Sequence, residues 1–424
     1  MEITSSIVNE IIEQKEIYSE FQPIVSVNTR RVVGVEALSR GHFGQEIINP
    51  FALFEYAKDL EKTVELDRLC RVKALETFSM GPQTPMLFIN FEADVLNQLE
   101  SESEMFLSTV RQFSVPHENI VIEINEKYVS DNNKLLRFVE FYRSQGFMIA
   151  LDDVGAGHSN LNRITVVRPD VVKIDMALVR NIDKSPYCQE VFKSIINLAK
   201  KIGAFTVAEG AETAEEAAFC TLCGVDFIQG YYFARPMSLE KVGALELVPP
   251  LEEVSHHINA VVKQRQEMEL HRKQNFLSVI YHLLESLQTV PATEYEDIMW
   301  HFVSENSDVE CVFLLDLEGV QISDTIILEE SLNDRRSAFF APAVKGDRHE
   351  IKNYYYAVKE NIENPFISDW YISNATGRSC KTVSSKFMDG EGNTVIVCVD
   401  IKYDKYRYQY EPAFDKSEKG TLGS

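Results

Sequence analysis

The stretch FQPIVSVNTRRVVGVEALSR, residues 21–40, decides the fold. It holds two apolar runs, FQPIVSV and RVVGVEA, linked by only Asn28, Thr29 and Arg30. A crossover between parallel strands needs roughly a dozen residues or more. So short a link predicts an antiparallel hairpin. The second run also ends on a charged pair, Glu36 and, four residues on, Arg40.

Working outward, the apolar runs recur as MLFINF (86–91), NIVIEI (119–124), FMIALDD (147–153), DVVKID (170–175), FTVAEG (205–210) and DFIQGY (226–231). Helical patterns such as LLRFVEFYRSQ and EVFKSIINLAKKIG lie between them. Near-continuous apolar strands alternating with helices predict a parallel sheet covered on both faces. Eight strands over 1–248 fit a (β/α)8 barrel. The hairpin makes it a modified TIM barrel with one antiparallel strand.

The chain has 424 residues, 45% of them hydrophobic. A single core rarely grows past roughly 250–300 residues, so a second domain is expected. Pro249–Pro250 interrupts the pattern, and Leu251 to Val290 then runs without Gly or Pro. Apolar residues at helical spacing predict a connecting helix over 249–290. At about 1.5 Å per residue it spans roughly 55 Å. From 291 to 410 a short helix pattern (EYEDIMWHFVSEN) precedes VECVFLLD, FISDWYIS, SCKTVSSKFM and NTVIVCVDI, with hairpin-type connectors NATG and DGEG. This predicts a small α+β domain with an antiparallel sheet. YYYA (354–357) and Trp370 read as sheet and core packing, and the polar tail 411–424 is expected to be disordered.

A formal net charge of −23 argues against broad attraction to nucleic-acid polymers or anionic membranes. No stretch of roughly 18 apolar residues is present, so no membrane span is expected. MEITSSIVNEIIEQ lacks the charged-then-apolar pattern of a secretory leader. Seven scattered cysteines fit a reduced, cytoplasmic protein. Cys220 and Cys223 form a CxxC inside a helical pattern with no second pair, and read as small buried residues rather than a metal or redox site.

Every strand end from the second onward is polar: Glu36, Asn90, Glu123, Asp152–Asp153, Lys173 and Asp175, Glu209, and Gln229. Taken alone, each acid is an ordinary loop residue or helix cap. In a barrel, however, C-terminal strand ends face the loops that build active sites. Glu36, Glu123, Asp152, Asp153 and Glu209 then converge, and clustered carboxylates repel one another unless a cation sits among them. Oxygen donors without His or Cys point to a hard ion, Mg²⁺ or Mn²⁺. Adjacent aspartates suit two ions roughly 3.5–4 Å apart, as in phosphoryl-type displacement.

The stretches FQPIVSVNTRRVVGVEALSR, FIN, IVIEINE, LDDVGAGHSNL, VVKID, VAEGAET and DFIQGYYFARPM resemble, in order and spacing over about residues 1–246, the EAL-domain cyclic di-GMP phosphodiesterases. The resemblance implies a modified TIM barrel that cleaves cyclic di-GMP to linear pGpG with two Mg²⁺ or Mn²⁺ ions. It implies one ion on Glu36, Asn90, Glu123 and Asp152, and a second on Asp152, Asp153 and Glu209. By the same resemblance Lys173 would help orient and activate the attacking water, with Asp175 nearby. Gln22, Arg40, Gln229 and Pro236 match substrate-side positions. Glu126 anchors the loop after the paired aspartates, and Glu212 supports it. A homodimer is a further implication. The loop DDVGAGHSNL departs from the family's DDFGTGYSSL at Val154, Ala156 and His158. His158 reads as loop packing rather than a ligand. The C-terminal region loosely resembles PAS/Cache-like sensors, which implies regulation of the barrel. The other reading is a catalytically weak cyclic di-GMP receptor signalling through the connecting helix.

Overall fold

The three-residue link makes a hairpin. β1 (Ile17–Ser26) pairs antiparallel with β2 (Arg31–Phe43), placing Gln22 opposite Glu36. In this computed structural model the described residues are 4–81, 86–92, 99–125, 131–156, 162–329 and 340–402. A short β3 (Glu46–Ile48), which the sequence pattern does not announce, folds back on β2 after Gly44 at φ +62°. From β2 the sheet continues in parallel through β4 (Met86–Phe91), β5 (Ile120–Asn125), β6 (Met148–Val154), β7 (Val171–Ile174), β8 (Phe205–Glu209) and β9 (Phe227–Gln229). β9 then meets β1 antiparallel at Val25 and Ile228, closing an eight-stranded barrel with one reversed strand.

The helices between strands start and stop where local chemistry dictates. Ser185 accepts from the Cys188 amide ahead of Pro186–Ile202, and Gly203 at φ +79° ends that helix. Thr213 and Glu216 form a reciprocal capping box on Ala214–Cys223. These helices cover an apolar barrel exterior. Phe91, Phe106, Phe138, Tyr142 and Phe147 pack edge to face or tilted on one side, with ring centroids 4.7–5.9 Å apart. At β9 the backbone comes so close to Ala211 that a Cβ on Gly230 would lie 2.1 Å from the Ala211 carbonyl oxygen. Only glycine fits there.

By its contacts the chain divides into Met1–Val261 and Val262–Ser424. The division falls within one 40-residue helix, Val248–Leu287. Its start packs Leu251 and Val254 into the barrel unit's core, and its end packs Phe276, Ile280, Leu283 and Leu287 into the second unit's core. Pro249 and Pro250 therefore do not interrupt the helix but lie in its first turn, where a missing N–H leaves no bond unmade. No described helix is long and apolar enough to cross a membrane.

The second unit is an antiparallel sheet. Its strands are β10 (Val309–Leu315), β11 (Ile326–Ile327), β12 (Phe366–Ile367), β13 (Tyr371–Ile372), β14 (Ser379–Met388) and β15 (Thr394–Lys402), ordered β11-β10-β15-β14-β12, with β13 also on β14. FISDWYIS is not one strand: Ser368, Asp369 and Trp370 separate β12 from β13, and the Ser368 hydroxyl accepts from the Thr382 amide in place of a ladder bond. YYYA is helical, inside Asn353–Lys359, with Tyr354 and Tyr355 buried against one sheet face. The helix Tyr295–Glu305 covers the other face. The tail 411–424 lies outside the described residues.

Candidate metal and catalytic centre

Alternate residues of a strand point the same way, so each barrel strand contributes inward side chains two apart. Ile24, Phe88, Val121, Ala150, Val171 and Val207 form one apolar layer inside the barrel. Two residues on in each parallel strand stand Asn90, Glu123, Asp152, Lys173 and Glu209. On reversed β1, Gln22 comes two residues before Ile24. The site is thus the next layer toward the mouth, and the apolar layer beneath seals it from the opposite end.

Lys173 sits at the centre and is almost wholly buried. Its Nζ lies 2.6 Å from Glu123 Oε1, 2.7 Å from Glu209 Oε1, 3.2 Å from Asp152 Oδ1 and 3.4 Å from Glu36 Oε2. Asn90 Nδ2 donates to Glu36 Oε1 at 2.9 Å, and Gln229 Nε2 donates to Glu36 Oε2 at 2.7 Å. Gln229 Nε2 also donates to Gln22 Oε1 at 3.2 Å, and Gln22 donates to the Ala234 carbonyl.

These contacts set the ionisation of the group. Burial opposes charge on Glu36, yet Lys173, Gln229 and Asn90 outweigh it and hold the carboxyl below its ordinary value. Burial, then the Glu36 charge, pushes Glu123 well above it. Burial raises Asp152, and it takes Glu209 to about 8. Burial also works against the Lys173 ammonium, but the four acids together raise it well above the usual lysine value. One ammonium cannot neutralise four carboxylates held this close, so some of the acids keep their protons unless a cation joins them.

Asp153 reaches the same mouth by a backbone device. Neighbours on a strand normally face opposite ways. Here the β6 register shifts between Leu151 and Val154, and Asp153 adopts φ +57°, a left-handed conformation that an aspartate tolerates better than most residues. Asp152, Asp153 and Glu209 each then offer an oxygen within 4.8 Å of the others. Asn125 Nδ2 donates to Asp153 Oδ2 at 2.7 Å, fixing its carboxylate.

The donor chemistry fits a hard divalent cation. The contributing atoms are carboxylate and amide oxygens. Both Glu123 oxygens and Asp152 Oδ1 are buried and, among the described residues, accept no hydrogen bond of normal geometry, their ion pairs with Lys173 apart.

Other expected residues lie around this centre. Arg40 does not pair with Glu36; its Nε is 3.0 Å from Glu20 Oε2, and it donates to the Ser39 carbonyl. Asp175 caps the helix Met176–Val179 through the Ala177 amide at 2.8 Å. Glu212 pairs with Arg180 at 2.7 Å near the surface. Pro236 is half-buried, next to the bridge between Phe21 and Met237. Glu126 and His158 lie outside the described residues. Cys220 is buried and Cys223 half-buried in their helix, both as free thiols.

Three contributors are not singled out by the strand-end reading. Asn125 directly follows the apolar β5 run, and that position was its only signal. Glu20, Arg40's partner, lies two residues before Gln22. Glu216 accepts from the amides of Asn181, Glu212 and Thr213, fixing the turn after β8; the T-x-x-E pattern at 213–216 carries that signal.

Fold and mouth together define an acid-lined TIM barrel with one reversed strand. The chain belongs to the EAL domain family, which matches residues 5–236. It is 26% identical over 403 residues to the uncharacterized EAL-domain containing protein YkuI of Bacillus subtilis (strain 168), across 92% of this chain and 95% of that protein. It is 32% identical over 238 residues to the probable cyclic di-GMP phosphodiesterase PdeN of Escherichia coli (strain K12), across 54% of this chain and 45% of PdeN. The crystal structure of B. subtilis YkuI in complex with substrate c-di-GMP and calcium has the same fold, with a TM-score of 0.76 at 24% identity over 95% of this chain and 100% of that one.

Proposed function

We propose that the chain hydrolyses cyclic di-GMP to linear pGpG at the barrel mouth, using two divalent cations, Mg²⁺ or Mn²⁺. The observation that carries this reading is the convergence of Glu36, Glu123, Asp152 and Glu209 on Lys173. Glu36, Asn90, Glu123 and Asp152 would hold one cation, and Asp152, Asp153 and Glu209 the other. When bound, the cations supply charge neutralisation and a water of lowered pKa.

The chain's own residues do the rest. Lys173 is fixed on four sides and aligns the attacking water by donating to it. Gln229 and Asn90 hold both oxygens of Glu36, so this carboxylate keeps one orientation through the reaction. Gln22 bridges Gln229 to the 234–237 segment, where Pro236 faces the substrate side. Arg40 supplies positive charge to a phosphodiester that a net charge of −23 otherwise repels. The apolar layer below excludes water from the opposite end. Residues 1–248 form the phosphodiesterase unit, 249–290 the connector and 291–410 a PAS/Cache-like regulator. The protein works as a homodimer in the cytoplasm, a setting consistent with seven free thiols.

The test is turnover by the full chain with Mn²⁺, followed by chromatography of the nucleotide. Conversion to pGpG that Glu36→Ala abolishes supports the reading. Unchanged nucleotide after prolonged incubation rejects it, and tight binding without turnover assigns the receptor role instead.

A further inference from the structure

A second group of ligand-type side chains lies in the other unit, far in sequence from the barrel mouth. Glu310 on β10, Cys380 on β14 and Asp400 on β15 are buried, and each offers an oxygen or sulfur within 4.8 Å of the other two. Strand pairing brings them together. β15 lies between β10 and β14, and the bulge between Val309 and Cys311 sets Cys311, rather than Glu310, opposite Asp400.

Two further observations point to an occupant. Thr376 donates to Glu310 Oε1 at 2.8 Å and the Ser373 hydroxyl also stabilises this carboxylate, but Glu310 Oε2 is buried and accepts no hydrogen bond of normal geometry among the described residues. A cavity of ≈ 40 Å³ opens beside Asp400, lined also by Cys311, His349, Tyr354 and Tyr371. That is room for an ion or a water. Neither carboxylate takes part in an ion pair among the described residues, so burial raises both above their ordinary values, and a bound cation would stabilise their ionised forms.

We propose that Glu310, Cys380 and Asp400 bind a borderline-soft divalent cation of the zinc class, Asp400 being the ligand that also lines the cavity. Cys380 Sγ lies 3.8 Å from Asp400 Oδ2. Zinc bonds of about 2.3 Å to sulfur and 2.0 Å to oxygen place tetrahedral ligands about 3.5 Å apart, so the pair stands near ligand spacing already. The thiolate separates this site chemically from the all-oxygen barrel mouth. Thr382 Oγ1 at 2.7 Å and Tyr371 Oη at 3.0 Å donate to Asp400 and orient its carboxylate.

Cobalt(II) distinguishes the two sites, because thiolate ligation alone gives an intense near-ultraviolet charge-transfer band. The reduced full chain is titrated with Co²⁺ alone. The expected result is a charge-transfer band whose saturated intensity corresponds to one thiolate-bound Co²⁺ per chain and which disappears in Cys380→Ser, while Glu310→Gln weakens binding roughly tenfold or more. Circular dichroism checks that each variant folds. Should Cys380→Ser not fold, Glu310→Gln decides alone, since it keeps both the thiol and the side-chain shape. Absence of the band, its persistence in Cys380→Ser, or unchanged affinity in Glu310→Gln overturns the proposal.

Discussion

Replacing Lys173 with methionine tests the electrostatics of the barrel mouth. The lysine Nζ lies 2.6–3.4 Å from four carboxylates. At an effective dielectric of about 20, each attraction is worth roughly 5–6 kcal/mol gross. Desolvation and repulsion among the acids offset most of it. Removing one partner of a buried ion pair leaves a net loss of about 3–5 kcal/mol. Lys173→Met therefore lowers the stability of the metal-free barrel by about that amount, a fall of about 1–2 M in the urea midpoint. A divalent cation replaces the missing positive charge, and ligand at 100 times Kd contributes about 2.7 kcal/mol. In the native protein the cation enters beside an ammonium that already neutralises part of the cluster. The stability gained on adding Mn²⁺ is accordingly larger in Lys173→Met than in the native chain. The assay is urea unfolding followed by circular dichroism, once in EDTA and once in saturating Mn²⁺. Equal stability of variant and native chain in EDTA, or an equal Mn²⁺ gain in both, refutes the reasoning.

Gly230→Ala forces a Cβ against the Ala211 backbone at 2.1 Å and 2.5 Å, and destabilises the barrel by about 1–3 kcal/mol in urea; a loss below 0.5 kcal/mol, on the order of a surface change, contradicts the close approach. Arg71 is buried, with Nη2 2.9 Å from Asp67 and 3.2 Å from Glu102, and its guanidinium 4.2 Å from the Phe91 ring centre. Arg71→Met leaves Asp67 without its ion-pair partner while Arg68 keeps Glu102, and costs about 3–5 kcal/mol by denaturant titration; a near-neutral result refutes the buried pairing. Thr213→Ala breaks the capping box and costs about 1 kcal/mol, measurable as a shift in the urea midpoint.

Much of the barrel was legible because one pattern repeats. An inward apolar residue, one outward residue and then an inward polar residue recur as Phe88-x-Asn90, Val121-x-Glu123, Ala150-x-Asp152, Val171-x-Lys173 and Val207-x-Glu209. That pattern reports a sealed floor with a polar layer above it. The reversed strand was legible from loop length alone. The central place of Lys173 was not, because convergence across four strands depends on barrel register rather than on neighbours in sequence. The left-handed Asp153 was also hidden, since DD reads as two strand residues facing opposite ways. In the second unit, strand length was misjudged at FISDWYIS, where Ser368 substitutes for a ladder partner. Glu310, Cys380 and Asp400 carry no spacing signal; only antiparallel registry joins them.

The reversal of β1 also reassigns the chain segment before it. In an all-parallel barrel the rim is built by loops that follow strands, and segments preceding strands stay at the far end. Here Ile17 lies level with Gly41, beyond Glu36 toward the mouth, and the His42 amide donates to the Glu16 carbonyl at 2.8 Å. Lys15 and Glu16 are therefore rim residues. Variation upstream of the first barrel strand can tune what the mouth admits, a freedom that the regular barrel plan reserves for its downstream loops.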